Sequence, residues 1–321
     1  MPTRIHKQST ERIIMTVKYT ITFFFFLLNL NVIAQEDYGW WVEKHNWDGI
    51  TPWHHYMTMS SSFLGPNALT VPEVENGRVD SNVSLNISYD YYHSAGDKTH
   101  GFFLKGVLPL FNDRMSVGLS VVPLEFYKMD TITRDIRAVR TESGEGSAGG
   151  DIYLTTLFQI IRDKPKLPDI VLRMTFRTAS GTHLRDARFT DAPGYYSDLS
   201  FGKTFPLHKS GFNIRLYGDA GLYVYQTYDL QHLQNDCIYY GGGFSLSTQA
   251  MSLINHLAGY YGYLNIGDRP MVLSSELRIN RKIMDWSVSY LWGINDFSYQ
   301  RYRISMIFHI PSSKLFKDTK K

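Results

Sequence analysis

The sequence predicts an all-β chain, a transmembrane antiparallel up-and-down β-barrel of about 12 strands. Three observations carry that prediction. First, apolar and polar residues alternate along many segments, as in Val83-Ser84-Leu85-Asn86-Ile87-Ser88-Tyr89 and Leu277-Arg278-Ile279-Asn280. Successive strand side chains point to opposite faces, so each such segment has one apolar and one polar side. Second, most of these segments run to ten residues or more, against ~5–6 in soluble sheets. Third, aromatics make up 15% of the 321 residues. Walked up and down the strands, they gather toward two rims, as girdles at two membrane interfaces would. Tyr91, Tyr127, Tyr195, Tyr240, Tyr261 and Trp292 fall near one rim, and Phe111, Phe158, Phe205, Phe212, Trp286 and Phe308 near the other.

The chain begins with an export signal, residues 1–34, for which Met15 is an alternative start. Lys18 supplies a charged leader, an apolar run extends from Tyr19 to Ile33, and Val32-Ile33-Ala34 suits cleavage before Gln35. The run is interrupted by Asn29 and Asn31 and falls short of the ~20 residues of a helical span. No Cys follows Ala34, which argues against a lipid anchor, and the single Cys237 excludes an internal disulfide. Removing residues 1–34 takes away Arg4, Lys7, Arg12 and Lys18 but one acid, Glu11, leaving 29 basic against 29 acidic side chains. The basic balance of the full chain therefore comes from the leader, and no nucleic-acid partner is expected.

Residues 35–80 lack periodicity and hold four of the six Trp: Trp40, Trp41, Trp47 and Trp53. Two readings stand for this Trp-rich arm: a plug inside the barrel or a lid across its periplasmic mouth, or a brace packed on the turn surface. His45, His54 and His55 sit near Glu43, Asp48 and Glu73, yet their spacing matches no metal signature, and no metal or cofactor is expected.

The barrel is expected over 81–311, with strands near 82–92, 99–110, 114–127, 149–160, 169–180, 195–205, 211–226, 236–247, 255–266, 271–281, 285–294 and 299–310. Residues 312–321 form a C-terminal periplasmic tail. The connections alternate between long, notably 128–148 and 181–194, and tight, such as Phe111-Asn112-Asp113 and Lys282 to Met284. Short periplasmic turns and longer outer loops produce that rhythm.

Alternation places Arg173, Thr175, Arg177, Asp198, Ser200, Arg215, Asp219, Glu276, Arg278, Arg301 and Arg303 on the inner face. A turn centred near His208 sets Asp198 opposite Asp219, with Arg177 as the bridge between the two carboxylates. Such charges either line a path for a small solute, as rings of charge do in pores, or pair off and rigidify a narrow lumen. A hydrolytic reading would draw on His208 with Ser210, or on His183 with Asp186 and Asp191 in a solvated outer loop beside His100. None of these sets has the geometry of a catalytic constellation in sequence, so no catalytic residue is assigned. Cys237 reads as a small strand residue.

Two motifs carry a family resemblance: Phe63-Leu64-Gly65-Pro66-Asn67-Ala68-Leu69-Thr70-Val71-Pro72 and Phe189-Thr190-Asp191-Ala192-Pro193-Gly194-Tyr195. With the Val-Ile-Ala-Gln ending of the leader, the chain resembles uncharacterised outer-membrane barrel proteins of the Bacteroidota. That resemblance implies an outer-membrane location and a barrel, and brings no catalytic residues. The expectation is a monomeric barrel in outer-membrane lipid that is porin-like, a channel or binder for a small solute. The alternatives are a structural or interaction platform presenting its 128–148 and 181–194 loops, and a surface hydrolase built on a barrel.

Overall fold

Residues 38–111, 113–207 and 211–311 are described by the computed structural model of the chain. The expected leader, the tail 312–321, His208 and Ser210 lie outside them. Thirteen strands are found among the described residues: β1 (Asn82–His93), β2 (Asp97–Leu110), β3 (Met115–Met129), β4 (Glu145–Ala148), β5 (Ile152–Ile161), β6 (Asp169–Arg177), β7 (Gly194–Leu207), β8 (Phe212–Gln226), β9 (Gln234–Ser247), β10 (Met251–Tyr261), β11 (Met271–Ile279), β12 (Met284–Asn295) and β13 (Gln300–Pro311). Each pairs antiparallel with its neighbours, β1 with both β2 and β13, so twelve strands close on themselves and leave no free edge. The short β4 extends one end of β3 and is not a stave.

The alternation seen in the sequence becomes an outside and an inside. Leu216, Leu222, Leu253, Leu257, Leu273, Leu277, Val288 and Ile304 are all exposed on the outer surface, with counterparts on every long strand. Soluble monomers rarely expose apolar surface this continuously; lipid accounts for it. The inner set is polar: Arg173, Thr175, Arg177, Asp198, Ser200, Arg215, Asp219, Ser274, Ser287, Arg303 and Ser305 are buried. One shift of parity matters. A bulge where Phe102 and Leu104 of β2 face Leu124 and Val121 of β3 puts Ser116 and Glu125 on the same inner face despite their odd spacing.

One rim carries the long connections, 130–151, 178–193, 227–233 and 262–270; the other carries 111–114, 162–168, 208–211, 248–250 and 280–283. The 130–151 connection is structured by helix α2 (Thr131–Ile136), where the Asp130 side chain accepts from Thr133 N–H. That bond holds the Asp130 carboxyl below the usual carboxylate range. The aromatics divide in a way the girdle reading does not anticipate. Tyr195, Tyr240, Tyr261 and Trp292 face out, whereas Tyr92, Tyr127, Tyr223, Tyr225, Tyr239, Tyr260 and Tyr299 are buried inside. Alternation sends every second ring inward, and there the rings pack edge to face, Tyr223 on Tyr260 at 5.0 Å and Tyr196 on Tyr223 at 5.7 Å.

Candidate functional site: a lumen divided by the N-terminal arm

From Trp41 on, the arm packs at the long-loop rim. Helix α1 (Gly39–His45) buries Trp41 to 1% exposure, and its indole N–H donates to Ala138 O at 3.0 Å. Tyr56 and Trp47 pack edge-on against Trp41, and the Arg140 guanidinium lies over both Trp41 and Trp53. The Trp cluster is thus a cap on the loop rim, opposite to the mouth where β1 begins. The Trp cluster therefore lies away from the mouth at which a lid or brace was expected, while residues 60–81 run inside the barrel from one rim to the other before entering β1. About 15 extended residues reach about 45–50 Å, ample for the crossing.

Inside the barrel the arm joins no ladder, so wall side chains serve its backbone. Arg177 Nη1 donates to Ala68 O (2.7 Å), Tyr260 OH to Leu69 O (3.0 Å) and Arg173 Nη1 to Glu73 O (2.6 Å). Asp219 accepts from Glu75 N–H (3.0 Å), and Arg215 Nε donates to Asn76 O (2.9 Å). Gln159 closes the series with both ends of its amide, donating to Gly77 O and accepting from Val79 N–H. Gly77 has φ +81°, and a β-carbon there would come within 2.7 Å of Gly202 N, so the reversal into β1 passes directly over the wall backbone. Period-two reading could not find these contacts, since the arm's partners are side chains up to 230 residues away.

The expected bridge between Asp198 and Asp219 is made by a different arginine. Asp198 pairs across with Gly221 and Ser200 with Asp219, so the β7–β8 turn is centred one residue later than expected and the pairing slips by two. Arg173, opposite Asp198 on β6, reaches Asp198 at 2.6 Å, Asp219 at 3.4 Å and Glu75 of the arm at 3.3 Å. Arg177 instead ties the arm to the wall loop, with Nη2 donating to Ala192 O at 3.3 Å. Arg215 pairs with Asp169 at 2.9 Å, and Arg278 with Glu276 at 2.8 Å. Arg303 grips Asp90 through two bonds of 2.6 and 2.8 Å.

Beside the arm lies a cavity of about 430 Å³, lined mostly by β1–β3 and β10–β13 and reaching Leu157, Arg173, Tyr196, Tyr217 and Ser245 on β5–β9. Ser116, Ser274, Ser287, Ser289 and Ser305 line it, together with Lys105, His256, Glu276, Arg278, Arg301 and Arg303 and with Glu73 from the arm. Small hydroxylated residues make the room, and the charged ones reach into it. Arg301 Nε has no hydrogen-bond partner among the described residues. Lys105, Glu73, Asp90 and His256 were not anticipated, although the same alternation that placed Arg303 inward would have included Asp90 and Lys105.

A buried ion cluster lies at the loop-rim end. Arg188 is fully buried and donates to Glu125 (2.7 Å), Asp97 (2.8 Å) and Thr99 (2.8 Å), over the Tyr127 ring. Arg137 and Tyr299 join on Asp97, and Asn67 of the arm donates to Glu125 at 2.7 Å. The 178–193 connection therefore folds inward, contrary to the expected solvated outer loop. Asp186 is buried and accepts from Tyr127 OH and Thr141, so it is no partner for His183, whose Nδ1 meets Thr182. His100 contacts Tyr89 at 2.6 Å on the outer face. Cys237 is buried in the Tyr223–Tyr225 region of the inner wall. Among the described residues no three His, Cys, Asp or Glu side chains gather as a metal set.

No protein-family model matches this chain, and neither does any curated protein. Solved structures do. An outer membrane channel from Pseudomonas putida F1 aligns over 74% of this chain and 100% of its own, at 13% identity and a TM-score of 0.52. The KdgM porin aligns over 70% of this chain and 99% of its own at 10% identity and a TM-score of 0.43. The Acinetobacter baumannii outer membrane protein Omp33 aligns over 72% and 99% at 9% identity and 0.35. At 13% identity the likeness to that channel is one of fold, and the strand pairings of this chain make the fold a closed twelve-stranded antiparallel β-barrel.

Proposed function

We propose that this chain is a monomeric, porin-like channel of the outer membrane, processed after Ala34, that binds or passes a small polar solute through the cavity between its arm and the wall of β1–β3 and β10–β13. The observation that carries the reading is that cavity: about 430 Å³ lined by serines and charges, inside a barrel whose outer surface is apolar. The fold shared with a channel supports it. Residues 63–79 act as the narrowing element, and Arg278, Glu276, Arg301 and Arg303 as the path, while Arg173, Arg177, Arg215 and Asp219 hold the arm and Asp198 anchors Arg173. In this reading the β1 and β13 ends, beside the short turns, face the periplasm and the Trp cap faces outside. Membership of the Bacteroidota barrels belongs to the same proposal: their two motifs meet in this chain, where Arg177 donates to both Ala68 O and Ala192 O.

Single-channel recording in planar bilayers tests it. The full chain should show small conductance, and deletion of residues 36–79 should raise it severalfold while heat-modifiable gel mobility reports a folded barrel. A folded deletion variant that carries no current would overturn the channel reading. The platform reading keeps one observation in its favour: Ile132 and Ile136 on α2, with Leu230 and Leu233 in the 227–233 connection, are exposed at the loop rim.

A further inference from the structure

We infer that the cavity contains a binding site for a small carboxylate solute, and that the Glu73 side chain occupies this site as a tethered competitor. The inference rests on the channel reading and names its solute class. Glu73 is the arm's only acid whose two carboxylate oxygens both reach the far wall among the described ion pairs: Oε2 meets Lys105 Nζ at 3.2 Å and Oε1 meets Arg303 Nη1 at 3.4 Å. Those separations are long for charge-assisted bonds, and the Glu73 side chain is 50% exposed to the cavity. It is an occupant held by two cations yet open to the cavity.

Its departure would leave the surroundings intact. The Glu73 backbone is held independently, through Arg173 Nη1 at 2.6 Å on its carbonyl, so the arm does not depend on the side chain. Arg303 keeps its two bonds to Asp90 and its place over the Phe103 ring, 4.4 Å from the centroid. The cations are therefore positioned before any solute arrives, which lowers the ordering cost of binding. Arg301, two residues along the same inner face of β13, adds a guanidinium whose Nε is buried without a partner among the described residues. A solute carboxylate entering here replaces one carboxylate by another on Lys105 and Arg303, with no charge left uncompensated in the wall, while Glu73 swings into the open cavity.

A tethered group competes through its effective concentration, so removing its charge should tighten binding of the free one. The test is ¹⁹F NMR of trifluoroacetate, with trifluoroacetamide as the neutral isostere, added to the detergent-folded full chain at low ionic strength, where exposed pairs are least screened. Broadening of trifluoroacetate alone is expected, with Glu73→Gln raising its apparent affinity at least threefold and Lys105→Gln lowering it below the parent. Glu73→Asp, whose carboxylate is drawn back from Lys105, should fall between parent and Gln, and it serves if the Gln variant fails to fold. Equal broadening by the amide, or a Glu73→Gln affinity no higher than the parent's, would overturn the site. Conductance separates the two proposals: a barrel that conducts without binding trifluoroacetate keeps the channel and loses the site, and one that binds without conducting does the reverse.

Discussion

Gly65 and Arg188 are in such close contact that a β-carbon on Gly65 would come within 2.7 Å of the Arg188 guanidinium carbon. The glycine is needed for the approach of arm to loop, and the approach completes a layer in which one arginine serves Glu125, Asp97 and Thr99. That layer lies at the loop-rim end of the lumen and joins the first of the two motifs that carry the family resemblance, through Gly65, to the residue just before the second.

Gly65→Ala should therefore displace Arg188 and loosen the arm. Cys237, 1% exposed on the inner wall, is a built-in reporter. Its alkylation by N-ethylmaleimide at pH 8 should be negligible in the parent and at least tenfold faster in Gly65→Ala. An unchanged rate with unchanged thermal stability would show that the contact relaxes without moving the arm.

Arg188→Leu leaves Asp97 and Glu125 buried with one cation fewer, and breaking a buried pair from one side costs about 3–5 kcal/mol. The exposed pair Lys128–Glu145, 2.7 Å apart with side chains 75% and 51% accessible, should matter far less. Thermal loss of heat-modifiable mobility should show a large drop for Arg188→Leu and almost none for Lys128→Gln.

The lipid-facing assignment predicts an asymmetry on β11 between neighbouring faces. Leu277 is 40% exposed on the outside and Ser274 4% exposed on the cavity side. Arginine at a mid-bilayer outward position costs ~2–4 kcal/mol. Assembly should fail or slow for Leu277→Arg, whereas Ser274→Arg should assemble and reduce conductance. Equal tolerance at both positions would contradict a membrane barrel.

The cap should loosen in acid. Burial lowers the His54 pKa from its ordinary 6.5, and the neighbouring His55 lowers it further; His54 also packs on Tyr228 with ring centroids 4.6 Å apart. The docked cap then binds fewer protons than the undocked one, so its stability is full above about pH 6.5 and declines as pH falls through the lowered value. Hydrogen exchange over residues 53–58 should be faster at pH 5 than at pH 7.5 after correction for intrinsic rates. His54→Gln should flatten that difference.

The staves of the barrel were legible in the sequence because period-two alternation is a local property. Strands expected at 82–92, 211–226 and 271–281 are found at Asn82–His93, Phe212–Gln226 and Met271–Ile279. Parity alone placed Arg173, Asp198, Asp219, Arg278 and Arg303 on the inner face. Parity counted from Ser116 would turn Glu125 outward, because the bulge between β2 and β3 changes parity inside one strand and has no marker in the alternation. The pattern failed at the β7–β8 register, where a turn centre displaced by one residue moves the pairing by two and hands the bridge from Arg177 to Arg173.

The arm and the 178–193 connection were beyond the reach of pattern. Their backbones are paired by Arg177, Arg173, Tyr260 and Gln159 of distant strands, so no periodicity records where they lie. The sequence by itself determined a membrane barrel with a polar interior, since alternation, strand length and aromatic content are written residue by residue. Only the tertiary structure decided that the interior is shared between a bound arm and a cavity, because that division depends on which wall side chains meet the arm once the strands have closed.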